Sequence, residues 1–223
     1  MFSSDVSFAI EHVYGHHVNV ATPTDPATAK RGDNVYPFIL RSTIGSYAHA
    51  WKMEKARLAK TGKSVWNPLH SRLMRGNLMC LVPFVGAYYL AGWSGVGLFA
   101  AVSVWAKSLL EITNYFEHYG LVRDPRTPVQ PRHSWNSNKF LSSIALFSLT
   151  RHSHHHAEAE AEFWKLRAMP EAPMLPYGYL TMILVALIPP LYKRVMTPLL
   201  NDWDSRDVPP VLSSAAIWSP IPN

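Results

Sequence analysis

The longest apolar stretch of the chain covers residues 78–112 and is broken once, at Trp93-Ser94-Gly95. The break predicts two helical segments, 78–92 and 96–112. Each is a little shorter than the roughly 20 residues that cross a bilayer, but together they exceed what a single buried helix needs. The pattern therefore predicts a membrane hairpin, full-depth or shallow. The second segment stays helical in pattern through Asn114 to His118, and Gly120 is placed to end it. A further apolar run, 175–192, stops at Pro189-Pro190 before Lys193 and Arg194, which reads as a last membrane-associated helix with a basic flank. Residues 35–44 read as helical or interfacial. From 46 to 63 the pattern is polar and amphipathic, a helix ended by Gly62. Its lysines and arginines beside aromatics suit either a lipid headgroup surface or a solvated face. Proline-broken loops separate these elements at 21–26, 123–131 and 169–176. The expected fold is all-α, an integral-membrane helical bundle over residues 1–200, with a Pro- and Ser-rich irregular tail at 201–223.

Composition points the same way. Of the 223 residues 48% are hydrophobic and 16% charged, well below the roughly 25% charged of a soluble domain. The net charge of +6 is concentrated between Lys30 and Arg75 and between Arg123 and Lys139. Basic clusters fit nucleic acid or the cytoplasmic loops of a membrane protein. The apolar runs favour the membrane, and nucleic acid is not an expected partner. Cys80 is the only cysteine. Neither an internal disulfide nor a Cys-x-x-Cys electron-transfer site is available, so any electron carrier is a separate protein.

Histidines carry the candidate chemistry. In Arg151-His152-Ser153-His154-His155-His156-Ala157, His152, His155 and His156 are spaced i, i+3, i+4 and share one helix face, while His154 points elsewhere. Glu11-His12-Val13-Tyr14-Gly15-His16-His17 repeats the theme, with His12 and His16 at i, i+4. A third motif, Asn114-Tyr115-Phe116-Glu117-His118-Tyr119-Gly120, closes the long apolar segment. Neutral imidazole is the commonest side-chain metal ligand, and the histidines outnumber what one tetrahedral ion uses, which points to two ions. Imidazole does not by itself name the metal. Glu111, Asn114 and His118 share a face, so Glu111 and Asn114 are placed behind a ligand; Glu11 and Glu117, each next to a histidine, are placed to brace neighbours. Lys107 and Glu111 are spaced to pair. His49, His70 and His133 have no spaced partner and are left out. Glu158, Glu160 and Glu162 form an acidic stretch beside the third cluster, fit to order its imidazoles or to face solvent.

These three motifs resemble the signatures of the integral-membrane alkane 1-monooxygenases, relatives of the xylene monooxygenases and, more remotely, of membrane fatty acid desaturases. The Ala-Thr-Pro-x-Asp-Pro stretch near residue 25, Gly62-Lys63-Ser64-Val65-Trp66 and residues 177–197 extend the likeness over nearly the whole chain. The resemblance implies a multi-pass bacterial inner-membrane enzyme with two iron ions at the cytoplasmic ends of its helices. It further implies hydroxylation of the terminal methyl of an alkane with O2, with electrons from rubredoxin and its reductase. By motif match, His12, His16, His17, His118, His152, His155 and His156 are the implied iron ligands; His154 falls on a non-ligand position. The family also has an earlier His-Glu…His motif. Residues 1–11 leave no room for it, so the resemblance implies that residues 1–200 are the C-terminal part of a longer hydroxylase domain with an incomplete two-iron site as given. Two other readings stay open: a desaturase or hydroxylase of another lipid or xylene-like substrate, and a non-catalytic metal-binding membrane paralogue.

Overall fold

The computed structural model describes residues 4–206. Among the described residues the regular structure is helical, with one isolated parallel bridge between Asn136 and Met174. The longer helices are α3 (Val35–Ala59), α4 (Arg72–Glu117), α7 (Tyr179–Ala186) and α8 (Pro189–Ser205). Short ones are α1 (Phe8–Glu11), α2 (His17–Asn19), α5 (Phe140–Ala145) and α6 (His152–Ala157). A π-helical turn, His12–His16, joins α1 to α2. Single π turns of this kind recur at functional sites. The chain divides into two compact units, one made of Met1–Gly15 and Thr43–Glu111, the other of His16–Ser42 and Ile112–Asn223.

In the first unit the apolar stretch folds back on itself. Ala91 and Gly92 leave helical geometry inside α4, Gly92 with φ of 60°, and the rings of Phe84 and Phe99 meet at 4.8 Å. Fifteen residues of straight helix would hold those rings some 22 Å apart, so the two arms form a hairpin. The turn falls at Ala91–Gly92 rather than at Trp93-Ser94-Gly95, because Gly92 adopts a left-handed φ at little cost. Gly95 lets the arms close: a Cβ there would lie 2.2 Å from the Ala87 carbonyl oxygen. The first arm, Arg72 to Ala91, is about 30 Å long at 1.5 Å per residue, which matches a bilayer's hydrocarbon core. Its surface is apolar and exposed, with Tyr89, Leu90 and Trp93 at the tip 83%, 90% and 77% exposed. At the base, the buried Glu54 carboxylate accepts two bonds from Arg57, at 2.7 and 2.8 Å, and one from the Arg72 backbone N–H at 2.6 Å. It thereby caps α4, whose first N–H groups have no helical partner. Lys107 lies 2.5 Å from both Asp5 and Glu111, the pairing expected from the i, i+4 spacing.

Helix α3 is continuous through Gly45, where the sequence pattern predicts two elements; one glycine costs an interior helix only about 1 kcal/mol. The second unit buries Phe38, Tyr115, Phe116, Trp135, Tyr179 and Tyr192. The expected single helix over 175–192 is two, α7 and α8. Pro189-Pro190 starts α8 instead of ending its predecessor, because a proline in the first helical turn forfeits no hydrogen bond. Helix α8 also takes in residues 201–205, the start of the expected tail; residues 207–223 lie outside the described residues.

Candidate metal centre

Three devices set the His-bearing segments of the second unit. Arg123 donates to the carbonyls of Val18 (2.6 Å) and Val20 (3.0 Å), which pins the chain as it leaves α2. Trp135 donates through its backbone to Glu117 (2.8 Å) and through its indole to the Tyr119 carbonyl (3.0 Å), tying the end of α4 to the 134–136 strand-like stretch. The Asn136 carboxamide accepts from the Ser153 backbone N–H (2.8 Å) and donates to the Ser153 hydroxyl, which fixes the start of α6.

The result is a buried cluster of His16, His118, His152 and His156, each with a ring nitrogen within 4.8 Å of the others. Nε2 of His152 lies 3.1 Å from Nε2 of His118 and 2.9 Å from Nε2 of His156. Nearby, the Nε2 atoms of His17 and His155 are 3.1 Å apart, and the His17 and His156 rings meet at 4.5 Å. Acceptors stand behind several of these rings. Asp25 Oδ2 is 2.9 Å from His16 Nδ1, Glu117 Oε1 is 3.2 Å from His152 Nδ1, and the His133 carbonyl is 3.4 Å from His118 Nδ1. An acceptor beside Nδ1 keeps the proton there and turns Nε2 into a lone pair. With the His133 carbonyl holding the His118 proton on Nδ1, the Nε2 lone pair of His118 faces Nε2 of His152 inside the cluster. Two nitrogens about 2.1 Å from one ion and 90–110° apart are themselves about 3.0–3.4 Å apart. The 3.1 Å separation lies on that edge and the 2.9 Å one is 0.1 Å below it, so the donor set fits a metal ion.

Electrostatics keep the imidazoles in the ligand form. Burial first, then the neighbouring rings, pushes His118 and His156 well below the ordinary histidine range. His17 is lowered to about 4 by burial, then by His155 and His16. Burial pushes the Asp25 carboxyl up, but His16, Thr28 and His118 outweigh it, and its pKa lies below the usual value. Asp25 accepts from Thr28 Oγ1 at 2.5 Å and from the Ala27 N–H at 3.0 Å, so its ionised form is well provided for.

The site residues singled out in the sequence divide between the units. His16, His17, His118, Asn114, Glu117, His152, His155 and His156 lie in the second. Glu117 lies 3.2 Å from His152 of the 151–157 motif. His12, Glu11 and Glu111 lie in the first unit, where Phe8 stacks on His12 at 4.6 Å, Glu11 contacts His49 at 3.3 Å, and Glu111 pairs with Lys107. His154 is buried but turned to Glu158 at 3.3 Å. Glu158, Glu160 and Glu162 are exposed and non-helical; Glu162 pairs with Lys165. Sequence reasoning misses Asp25 and His133. Asp25 sits in a loop and His133 in a single 3-10 turn, Pro131–His133, where periodicity carries no information. A carboxylate held among prolines with Thr28 three residues on was the available sign.

A family model for fatty acid desaturases matches residues 1–186. The chain belongs to the fatty acid desaturase family. Within this desaturase family it is similar to enzymes named for hydrocarbon oxidation. It is 41% identical over 196 residues to alkane 1-monooxygenase 2 of Alcanivorax borkumensis, which covers 86% of this chain and 51% of that protein. It is 38% identical over 206 residues to alkane 1-monooxygenase of Ectopseudomonas oleovorans (90% and 51%). To the xylene/toluene monooxygenase hydroxylase component XylM of Pseudomonas putida it is 35% identical over 212 residues (94% and 57%). The chain spans about half the length of the curated relatives it matches.

Proposed function

We propose that this desaturase-family chain serves O2-dependent hydroxylation of the terminal methyl of medium- or long-chain alkanes, at a histidine-ligated centre of two iron ions. His16, His118, His152 and His156 hold one ion; His17 and His155, with His12 assigned on motif spacing alone, serve the other. The observation that carries this reading is the convergence of four buried imidazoles with ring nitrogens within 4.8 Å of one another. When bound, iron supplies the redox chemistry that activates O2. The chain's own residues bind and orient: Asp25, Glu117 and the His133 carbonyl aim the rings, and burial keeps bulk water from the centre. Glu11, Glu111 and Asn114 remain proposed supports of the same kind. Converting a methyl group to an alcohol with O2 consumes two electrons and two protons and releases one water. We assign delivery of those electrons to rubredoxin with its reductase. The apolar α4 hairpin supports a membrane location for the protein, which we assign to the bacterial inner membrane, where alkanes dissolve. A cytoplasmic facing for the centre is our reading of the basic residues clustered along the chain under the positive-inside bias.

Similarity to XylM supports a second reading, hydroxylation of a methyl group on an aromatic ring. The test is anaerobic iron loading of the chain in nanodiscs, followed by 18O2, rubredoxin and reductase with octane, xylene or a fatty acyl substrate. Labelled 1-octanol supports the alkane assignment, a labelled benzylic alcohol alone the second reading, and an acyl alkene a desaturase. Two bound irons without any oxygenated product, both in this chain and in one extended to the length of its curated relatives, refute catalysis and leave a metal-binding membrane protein.

A further inference from the structure

The surface of the first unit is charged in one sense. Lys52, Lys55, Lys60, Lys63, Arg72 and Arg75 are exposed between the second half of α3 and the first turn of α4. Of the acids among the unit's described residues, only Glu54 acts on one of these cations, Arg72. Glu54 is buried under Arg57 and the Arg72 N–H, Asp5 and Glu111 pair with Lys107, and Glu11 is buried against His49.

Apolar side chains run through this basic field. On α3, Ile44 and Tyr47 are exposed on the same face as Trp51, at i+7 and i+4. Trp51 packs on Trp66 at 4.8 Å between ring centroids, and Trp66 and Leu69 stand 68% and 81% exposed on the loop just before α4. An apolar stripe bordered by lysines and continued by two bare apolar residues is the pattern of a segment lying in a bilayer interface. The loop ends where the 30 Å arm of the hairpin begins, which places it at headgroup depth.

We propose that residues 44–75 form a binding site for anionic phospholipid headgroups on the leaflet where α4 enters, with Trp66 and Leu69 dipping into the acyl boundary and the six cations holding phosphate. The inference rests on the membrane reading of α4 given above. A single basic side chain at the headgroup surface enriches anionic lipid by about fivefold at low salt. Six of them require a preference of at least about twofold even when most are screened.

Tryptophan quenching by brominated lipids tests this in nanodiscs holding the whole chain. The signal of Trp66 is the difference between wild type and Trp66→Phe. That of Trp105, 58% exposed on the hairpin, is the difference from Trp105→Phe. Brominated phosphatidylglycerol is expected to quench Trp66 at least about twofold more than brominated phosphatidylcholine at the same mole fraction. The preference should fall as salt rises and vanish in the combined Lys52→Gln, Lys55→Gln, Lys60→Gln, Lys63→Gln variant, with Trp105 quenched alike in both. Trp105 quenched but Trp66 showing no lipid preference overturns the site and leaves the membrane reading intact. Trp66 silent to both lipids but shielded by an acidic soluble protein overturns it in favour of a protein partner. Trp105 unquenched by either lipid removes the membrane reading itself, and the site with it.

Discussion

Asp25→Asn isolates the link between fold and metal centre. Asp25 Oδ2 and His16 Nδ1 are 2.9 Å apart, with side chains 0% and 1% exposed, so water can replace neither partner. Asparagine keeps the volume and an acceptor for the Ala27 N–H, but it has no charge to hold the His16 proton on Nδ1. A hydrogen bond to a charged group contributes about 1.5–3 kcal/mol, and losing a carboxylate behind a ligating histidine lowers metal affinity about 10–100-fold, or about 1.4–2.7 kcal/mol. Competition between the metal-free protein and a chelator for Co2+ or Fe2+ under argon measures this directly, with the Co2+ ligand-field spectrum as a second readout of geometry. The expected result is a 10–100-fold weaker first binding event with an altered spectrum. Thr28→Val, which removes the 2.5 Å bond to the same oxygen, should give a smaller loss, and Asp124→Asn, at an exposed pair with Arg126, none. A folded Asp25→Asn protein that binds within twofold of wild type would refute the argument that Asp25 aims His16 at a metal.

Other outcomes follow from the same geometry. His156→Ala should abolish the tight metal site, measured as bound metal per chain after gel filtration. His154→Ala, whose ring faces Glu158, should leave stoichiometry unchanged and cost folding stability only. Gly95→Leu pushes a side chain into the Ala87 carbonyl and should open the hairpin, read as loss of protease protection of α4 in vesicles; Gly97→Leu, with open space around its Cβ, should not. His133 is held neutral to about 3 by burial, then by Arg123 and Arg132. Its folded pKa is depressed, so the unfolded chain takes up the proton first, and metal-free stability falls as pH drops from about 6.5 towards 3, by up to about 1.4 kcal/mol per pH unit from this group. Denaturant melts across that window should show a shallower fall in His133→Asn, which keeps an acceptor for the Gln130 N–H.

The sequence by itself determined the helical class, the apolar hairpin, the three histidine motifs and the family likeness. These are local or periodic properties: an i, i+3, i+4 spacing or a run of apolar residues carries its own geometry. Tertiary structure decided what spacing cannot reach. Glu117 sits beside His118 in the chain yet lies 3.2 Å from His152, because Trp135 and Asn136 bring α6 back against the end of α4. Asp25 lies in a proline-bounded loop whose path is set by Arg123, nearly a hundred residues later. The hairpin turned one residue pair early because a left-handed φ selects Gly92 over the more polar Trp93-Ser94-Gly95. Pro189-Pro190 marked a boundary in either reading, but which helix it bounds depends on what α8 packs against, and no single-chain pattern encodes that.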